Sequence, residues 1–263
     1  MCSSDLTSSP IVVGDRVFLT CWTGVGAAKF KNSLSRELLC VDRATGRVKW
    51  SRAVPGENNI DRFDGYLPEH GYASHTPVCD GEKIFAYFGR GGAAAFDLDG
   101  KLLWQTKLGD AANQKNWGSA ASPVVHGDYV IVTASEEANA VIALHKATGK
   151  EAWRASGSAL SYVFGTPVFA GPPTQPELIL ALPDELWALN PDNGKLRWFA
   201  QSGLPGNIAP SPVAGDGVVF AFGGFPQLGA LAVKTGGKGD VTGTHLAWQS
   251  RDSSYVQIGR AHV

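Results

Sequence analysis

The residues best suited to chemistry lie in the polar segment from Asp64 to His75, with the sequence DGYLPEHGYASH. His70 and His75 are five positions apart, and Asp64 and Glu69 accompany them. Imidazoles and carboxylates in one loop can act as a general acid and base, or share a metal ion. Asp64, Glu69, His70 and His75 are therefore weak catalytic candidates. The alternative is that these polar groups only form hydrogen bonds within a long connecting loop.

Other sequence signatures of chemistry are weaker. The glycine-rich segments 89–92 and 236–239 resemble phosphate loops in composition alone, and neither opens a helix, so both are interpreted as hairpin turns. No two cysteines are adjacent or have metal-ligand spacing, and no haem-attachment motif is present. Cys21, Cys40 and Cys79 lie in apolar strand contexts, which favours buried thiols, although Cys21 and Cys40 could also face each other across neighbouring strands.

A repeated pattern must position these loops. Each copy contains an apolar strand end, a polar turn with a glycine, and a short strand that ends on tryptophan. The tryptophans are 54, 49, 45 and 50 residues apart, and a period of roughly 40 to 50 residues with about four short strands is typical of β-propellers. The copies end on Trp50, Trp104, Trp153, Trp198 and Trp248, and the first four contain the turn glycines Gly46, Gly100, Gly149 and Gly194.

In its fullest copies, such as ALHKATGKEAW at 143–153, the pattern resembles the tryptophan-docking repeat of the PQQ-type, quinoprotein-like propellers, a family that includes the BamB-like outer-membrane assembly lipoproteins. The resemblance implies an all-β fold, a β-propeller with four-stranded antiparallel blades. About five blades are present of the seven or eight expected in a complete protein. It also implies that the five tryptophans and four glycines above are blade-docking residues, each indole packing between neighbouring blades.

The repeat boundaries predict one incomplete propeller domain over residues 7–256. Its blades are expected at about 9–54, 75–108, 122–156, 165–201 and 210–250. The loop from Ser135 to Asn139 inside the third blade is predicted to be a solvated acidic turn. The terminal segments 1–6 and 258–263 resemble translations of a sequencing adapter in its two orientations, which favours non-native termini on an open reading frame from a short, metagenomic DNA fragment.

The connectors between blades are expected to share one face of the propeller. The candidates for binding on this loop face are Tyr66, His70, Tyr72, His75, Trp117, Tyr162 and Asn207. The favoured function is a non-catalytic binding or scaffold propeller that holds a protein or peptide, with no cofactor and an extracytoplasmic, periplasmic or outer-membrane-associated location. These last properties are implied by the resemblance.

The alternative is a fragment of a PQQ-dependent dehydrogenase, with PQQ and calcium, or of another periplasmic enzyme. The dehydrogenases of this family use a vicinal cysteine pair and carboxylate and amide calcium ligands, and no position of this sequence matches them within its repeat. Composition limits the partners further. Lys and Arg total 23 against 24 Asp and Glu, and no basic stripe appears, so nucleic acid is not an expected partner. No run of 18 apolar residues predicts a transmembrane helix.

Overall fold

The computed structural model describes residues 8–23, 34–54, 72–111 and 117–251. In these ranges the chain consists mainly of short strands, which form five sheets in chain order. The chain divides into two compact units. Unit 1 contains residues 1–138 and 142–152, and unit 2 contains residues 139–141 and 153–263.

Unit 1 contains two complete antiparallel meanders and the start of a third. Sheet 1 consists of β1 (Ile11–Val13), β2 (Arg16–Thr23), β3 (Ser35–Asp42) and β4 (Val48–Val54). Sheet 2 consists of β5 (Val78–Cys79), β6 (Lys83–Tyr87), β7 (Ala93–Asp97) and β8 (Leu102–Thr106). Sheet 3 begins with β9 (Val124–His126) and β10 (Tyr129–Ala134).

Sheet 3 is completed by β11 (Ala140–His145) and β12 (Glu151–Ser156), in the order β9-β10-β11-β12. A four-residue helix, α1 (Ser135–Ala138), joins β10 to β11. The division between the two units falls within the strands of this sheet.

Unit 2 contains two further meanders. Sheet 4 consists of β13 (Val168–Ala170), β14 (Glu177–Leu182), β15 (Glu185–Leu189) and β16 (Leu196–Gln201). Sheet 5 consists of β17 (Val213–Gly215), β18 (Val218–Gly223), β19 (Gly229–Lys234) and β21 (Leu246–Ser250). The insertion before β21 forms β20 (Gly239–Asp240) and helix α2 (Thr242–His245), and β20 pairs in parallel with β16. The insertion therefore adds a fifth strand to the preceding sheet.

The outer hairpins of sheets 1, 2, 4 and 5 repeat one construction. The tryptophan of the fourth strand lies opposite a small residue of the third, and the register shifts directly after that small residue, as a β-bulge does. The pairs described are Cys40 with Trp50, Ala95 with Trp104, Ala188 with Trp198, and Ala232 with Trp248. A small residue leaves room for the indole, which therefore packs over its own sheet before it meets a neighbour.

Apolar side chains are buried between consecutive sheets. In unit 1 Phe18 and Leu38 of sheet 1 pack in one cluster with Ile84 and Phe96 of sheet 2. In unit 2 a second cluster joins sheets 4 and 5. The prediction of an all-β fold with four-stranded antiparallel sheets is thus confirmed.

The cysteines depart from the sequence analysis at two positions. Cys40 is the buried free thiol expected, whereas Cys79 is a free thiol that is only half-buried; partial removal from water raises the pKa of both. Cys21, in contrast, is disulfide-bonded, so the expectation of a buried thiol at that position was wrong. An apolar strand context does not distinguish a thiol from a half-cystine, because both are buried.

Candidate functional site

The polar segment before sheet 2 is described only in its last part. Asp64, Tyr66, Glu69 and His70 lie outside the described residues. Tyr72 is 7% exposed, packs edge-on against the Trp22 ring with centroids 5.2 Å apart, and lies under the Arg36 guanidinium. Its aromatic face is therefore used within unit 1.

His75 belongs to a buried hydrogen-bond network. Its Nε2 lies 3.2 Å from Ser119 Oγ, and Ser119 Oγ donates to Glu137 Oε1 at 2.9 Å. The other carboxylate oxygen of Glu137 accepts from the Tyr87 hydroxyl at 2.8 Å. The His75 and Tyr87 rings also meet edge to face, 4.6 Å between centroids. All four side chains are at least 96% buried.

The order of donors decides what this network can do. The Ser119 hydroxyl donates its hydrogen bond to the Glu137 carboxylate. The Ser119 oxygen can therefore only accept a hydrogen bond from His75, from Nε2–H. A nucleophilic serine needs the opposite arrangement, with an imidazole that removes its proton and a carboxylate behind the imidazole. The groups are therefore arranged to hold the segments together rather than to activate Ser119.

Backbone contacts place the members of the network. The Thr20 hydroxyl of β2 contacts the carbonyls of Ala73 and His75 at 2.8 Å each, which fixes the chain that carries the imidazole. On the opposite side, α1 approaches two glycines. A Cβ at Gly89 would stand 2.9 Å from Glu137 Oε1, and one at Gly109 would stand 2.0 Å from the Glu137 carbonyl. Both positions must lack a side chain for α1 to enter.

The location of α1 corrects the sequence analysis. Residues 135–139 were predicted to be a solvated acidic turn, but Ser135, Glu136 and Glu137 are 0%, 3% and 4% exposed. A buried carboxylate is costly unless hydrogen bonds satisfy it, and Glu137 receives two. Burial, followed by the neighbouring Glu137 carboxylate, raises the pKa of Tyr87 well above its usual value. Tyr87 therefore stays protonated and remains a donor.

The side chains that most often bind metal ions are not clustered in the described residues. No group of three or more His, Cys, Asp or Glu side chains is arranged around a common point in the described ranges.

Unit 2 carries a different surface, built from two connectors between sheets and the loop between β18 and β19. The segment 205–208 lies between two others. Ile208 exchanges hydrogen bonds with the segment 162–164, from Ile208 N to Tyr162 O at 3.0 Å and from Phe164 N to Ile208 O at 2.9 Å. On its other side, Phe225 N donates to Pro205 O at 3.0 Å and Phe225 forms a β-bridge with Gly206. We call the segments 162–164 and 205–208, together with Phe225, the connector platform.

Two aromatic side chains project from the connector platform. Tyr162 is 42% exposed and Phe225 is 54% exposed. A Cβ at Gly206 would stand 2.1 Å from the Phe225 carbonyl, so the close approach that supports Phe225 requires glycine. The backbone beneath both rings is thus fixed, and the rings themselves remain available to solvent.

The platform contains some of the predicted residues and one that was missed. Tyr162 is exposed as a loop-face contact should be, whereas Asn207 is 3% exposed and its Oδ1 has no hydrogen-bond partner among the described residues. Trp117 is half-buried, on a connector of unit 1. Phe225 was not predicted. The sequence signal for it is an aromatic residue inside a Gly-Gly-Phe-Pro turn, where burial against a strand is not expected.

The predicted docking residues lie against one another along each unit. A Cβ at Gly100 would stand 2.9 Å from the Trp50 ring, one at Gly149 2.5 Å from Trp104, and one at Gly194 2.4 Å from Trp153. Two of these indoles also donate a hydrogen bond to the turn that contains the glycine they cover. Trp104 Nε1 donates to Lys146 O at 2.9 Å, and Trp153 Nε1 donates to Pro191 O at 3.0 Å.

The comparison with known families decides the relationship. The profile described as outer membrane protein assembly factor BamB matches residues 6–172 and 69–262, which together span nearly the whole chain. The chain belongs to the BamB family. No individual curated protein sequence matches it significantly.

Solved structures show the same fold. BamB from Moraxella catarrhalis has a TM-score of 0.59 at 15% identity, covering 97% of this chain and 81% of that protein. A europium-containing methanol dehydrogenase has a TM-score of 0.58 at 15% identity, and the quinohemoprotein alcohol dehydrogenase from Comamonas testosteroni one of 0.54 at 15%. The chain covers 48% and 40% of these two enzymes, of which it shares the fold. The five sheets are blades of a β-propeller.

The helices of the chain itself were the remaining test of whether a segment spans a membrane. Among the described residues no helix has the length and apolar character needed to cross a bilayer.

Proposed function

We propose that this chain is a non-catalytic scaffold of the BamB type, which holds a protein partner on the connector platform outside the cytoplasm. The observation that carries the proposal is the pair of exposed rings, Tyr162 and Phe225, on a backbone held by three hydrogen bonds and two β-bridges. Rigid, exposed aromatic side chains are the anchors that protein interfaces use most, because they bury a large area at little entropic cost.

The buried network supports the same function. Ser119, His75 and Glu137 are the residue types of a hydrolytic site, yet each is consumed in bracing three segments of unit 1. All three side chains are at least 96% buried, so they are packed inside unit 1 and are not displayed on its surface. Polar groups that join connectors make a loop face rigid, which favours binding by a preorganised surface.

Site-specific photo-crosslinking tests this function. Benzoylphenylalanine is placed at Tyr162 or Phe225 in the chain exported to the periplasm of a bacterium with an outer membrane. The control position is Leu196, which is 47% exposed on β16, away from the platform. We expect adducts with proteins of outer-membrane assembly from the two platform positions and none from Leu196. Equal adducts from all three, or none from the platform, would contradict the proposal.

The second candidate is a fragment of a quinoprotein-type enzyme, which the fold shared with two dehydrogenases favours. Titration with PQQ and calcium, followed by tryptophan fluorescence and dye-linked alcohol oxidation, separates it from the scaffold. A scaffold leaves the fluorescence unchanged and shows no turnover. Saturable quenching with turnover would assign the chain to the enzymes instead.

A further inference from the structure

The connector platform contains a buried polar group that its own contacts do not satisfy. Asn207 is 3% exposed, and its Oδ1 has no hydrogen-bond partner among the described residues. A buried acceptor without a donor is costly, so native proteins rarely retain one that serves no purpose. Asn207 therefore marks a point of the platform at which a donor from a bound molecule would be stabilising.

The backbone pairing of the platform places Asn207 between its two exposed rings. Ile208, the next residue, belongs to the buried apolar cluster of unit 2, and Val163, its partner in a parallel β-bridge, is 1% exposed. Side chains alternate along extended backbone, so Asn207 points away from that cluster. Its segment lies in the middle of the platform, with Tyr162 on the segment to one side and Phe225 on the other.

The width of the platform selects the shape of the molecule that it can hold. Paired strands lie about 4.8 Å apart, so the backbones that carry Tyr162 and Phe225 are about 10 Å apart. An α-helix with its side chains is about 10 to 12 Å across, too wide to enter between two rings mounted at this distance. Its main-chain N–H groups are also used internally, whereas those of an extended segment are available to an acceptor such as Asn207.

The composition of the platform and its flanks selects the chemistry of that molecule. The segments 158–164, 202–212 and 222–229 contain no Asp, Glu, Lys, Arg or His. A surface without charge offers nothing to an acidic or basic peptide, a nucleic acid or a lipid headgroup. Exposed aromatic faces instead bury apolar and prolyl side chains, and proline-containing segments are recognised on aromatic surfaces in this way.

We propose that the connector platform binds an uncharged, extended peptide segment of its partner, an inference that rests on the scaffold function proposed above. One apolar or prolyl side chain of the segment lies between Tyr162 and Phe225, and a main-chain N–H donates to Asn207 Oδ1. Proline has no N–H, so the residue that pairs with Asn207 is not proline, although its neighbours can be. Exposed side chains change rotamer within nanoseconds, so rotation of either ring admits the segment to the buried amide.

Selection from a phage-displayed library of random heptapeptides tests the proposal. The full chain is the target, and the double variant Tyr162→Ala, Phe225→Ala is used to remove peptides that bind elsewhere. We expect the enriched peptides to lack charged residues and to contain proline or large apolar residues. The best peptide is then synthesised, and its affinity is measured for the wild type, for Asn207→Leu and for the control Leu196→Ala, whose side chain is exposed on β16.

The hydrogen bond to Asn207 is tested from both sides. N-methylation of one peptide amide removes the donor, and we expect it to weaken binding to the wild type by about tenfold or more while changing nothing further in Asn207→Leu. Leu196→Ala should bind as the wild type does. Leucine has nearly the volume of asparagine and no acceptor, so Asn207→Leu should melt at the same temperature as the wild type or higher.

Several results would overturn the inference. No enrichment, a charged consensus, or affinity that is insensitive to every single N-methylation would each do so. A lower melting temperature for Asn207→Leu would mean that the amide is already satisfied within the fold. The scaffold function fails separately, because crosslinks from Tyr162 and Phe225 without peptide binding would retain that function and reject only the extended, uncharged segment.

Discussion

Consecutive sheets are joined in two ways. In the first, which we call an indole junction, a tryptophan ring covers the turn glycine of the next sheet, and the second is the buried network around Glu137. An indole junction uses residues that recur in each repeat, such as Trp153 against Gly194. The network uses Tyr87, Ser119 and Glu137 once, without a counterpart in the other repeats of the described chain. The repeated contact depends mainly on apolar area and a missing Cβ, whereas the single contact depends on satisfying a buried charge.

The two kinds of contact differ in how much they stabilise the fold and in how strictly they require one particular neighbour. An indole fits the glycine turn of any neighbouring repeat, so the junctions alone do not distinguish one neighbour from another. The Glu137 carboxylate needs the Tyr87 hydroxyl and the Ser119 hydroxyl together. We therefore expect the junctions to give the larger losses on mutation, and the network to give the stronger coupling between residues.

The largest effect is expected for Trp153→Ala. The ring is 8% exposed, and its removal leaves a cavity over Gly194 and an unpaired carbonyl at Pro191, so the free energy of unfolding should fall by about 3 to 5 kcal/mol. Trp248→Ala, at the matching position of sheet 5, should cost less than about 1.5 kcal/mol. Urea denaturation at low protein concentration measures both. Equal losses would show that the indole stabilises its own sheet rather than the junction.

The next effect is expected for Glu137→Ala. The substitution leaves the buried hydroxyls of Tyr87 and Ser119 without their acceptor, which should cost about 2 to 4 kcal/mol. The exposed Glu151→Ala is the control and should change stability by less than about 0.5 kcal/mol.

A double-mutant cycle shows whether the network acts as a unit. Tyr87→Phe removes one of the two hydroxyls that donate to Glu137. The substitution should therefore destabilise the Glu137→Ala variant much less than it destabilises the wild type, with a coupling free energy of about 1 to 2 kcal/mol. Additive losses would mean that Glu137 contributes through packing alone.

The indole junctions could be predicted from the sequence because they recur in each repeat, whereas the network around Glu137 occurs once and could not. Tryptophan and glycine at a fixed spacing identify the repeat, and the strands 177–182 and 185–189 could be located from apolar runs between turn residues. The burial of α1 could not be predicted in this way. Its sequence Ser-Glu-Glu-Ala is typical of a solvated turn, and only Gly89 and Gly109, distant in sequence, make room for it.

Sheet 5 shows a second limit of sequence pattern. Its turn glycine is replaced by an insertion, in which Gly239 pairs with Trp198 in the ladder from β16 to β20 and Val241 joins the buried cluster that contains Trp198. Trp198 is fully buried, but its Nε1 has no hydrogen-bond partner in the described chain, unlike Trp104 and Trp153. The pattern locates the indole, while the partner of its N–H depends on the length of the following turn.

Substitution of two turn glycines sharpens the comparison, because an indole covers Gly194 and no described atom lies against Gly46. Gly194→Asn should cost about 1 to 3 kcal/mol, because its Cβ would stand 2.4 Å from Trp153 and displace the ring. Gly46→Asn has the same backbone angle to satisfy but no described neighbour within 4 Å, so it should cost less than about 0.5 kcal/mol. Thermal unfolding of the two variants side by side measures the difference. Similar losses would attribute the effect to the backbone angle alone.

The smallest effect on stability is expected from Asp42, whose carboxylate lies in the turn that contains Gly46. Hydrogen bonds from the Thr45 hydroxyl at 2.7 Å and the Thr45 N–H at 2.8 Å lower the pKa of Asp42. A folded pKa below the unfolded value of about 3.9 gives stability that is present above about pH 4 and lost as pH falls through the folded pKa. Asp42→Asn keeps an oxygen acceptor for the turn but does not titrate, so its stability should approach that of the wild type as the pH is lowered. Thr45→Ala removes the strongest donor and should shrink the pH-dependent difference, which urea midpoints between about pH 3 and pH 6 would resolve. A difference that stays constant over this range would mean that the charge of Asp42 does not stabilise the turn, and that the oxygen acceptor alone is sufficient.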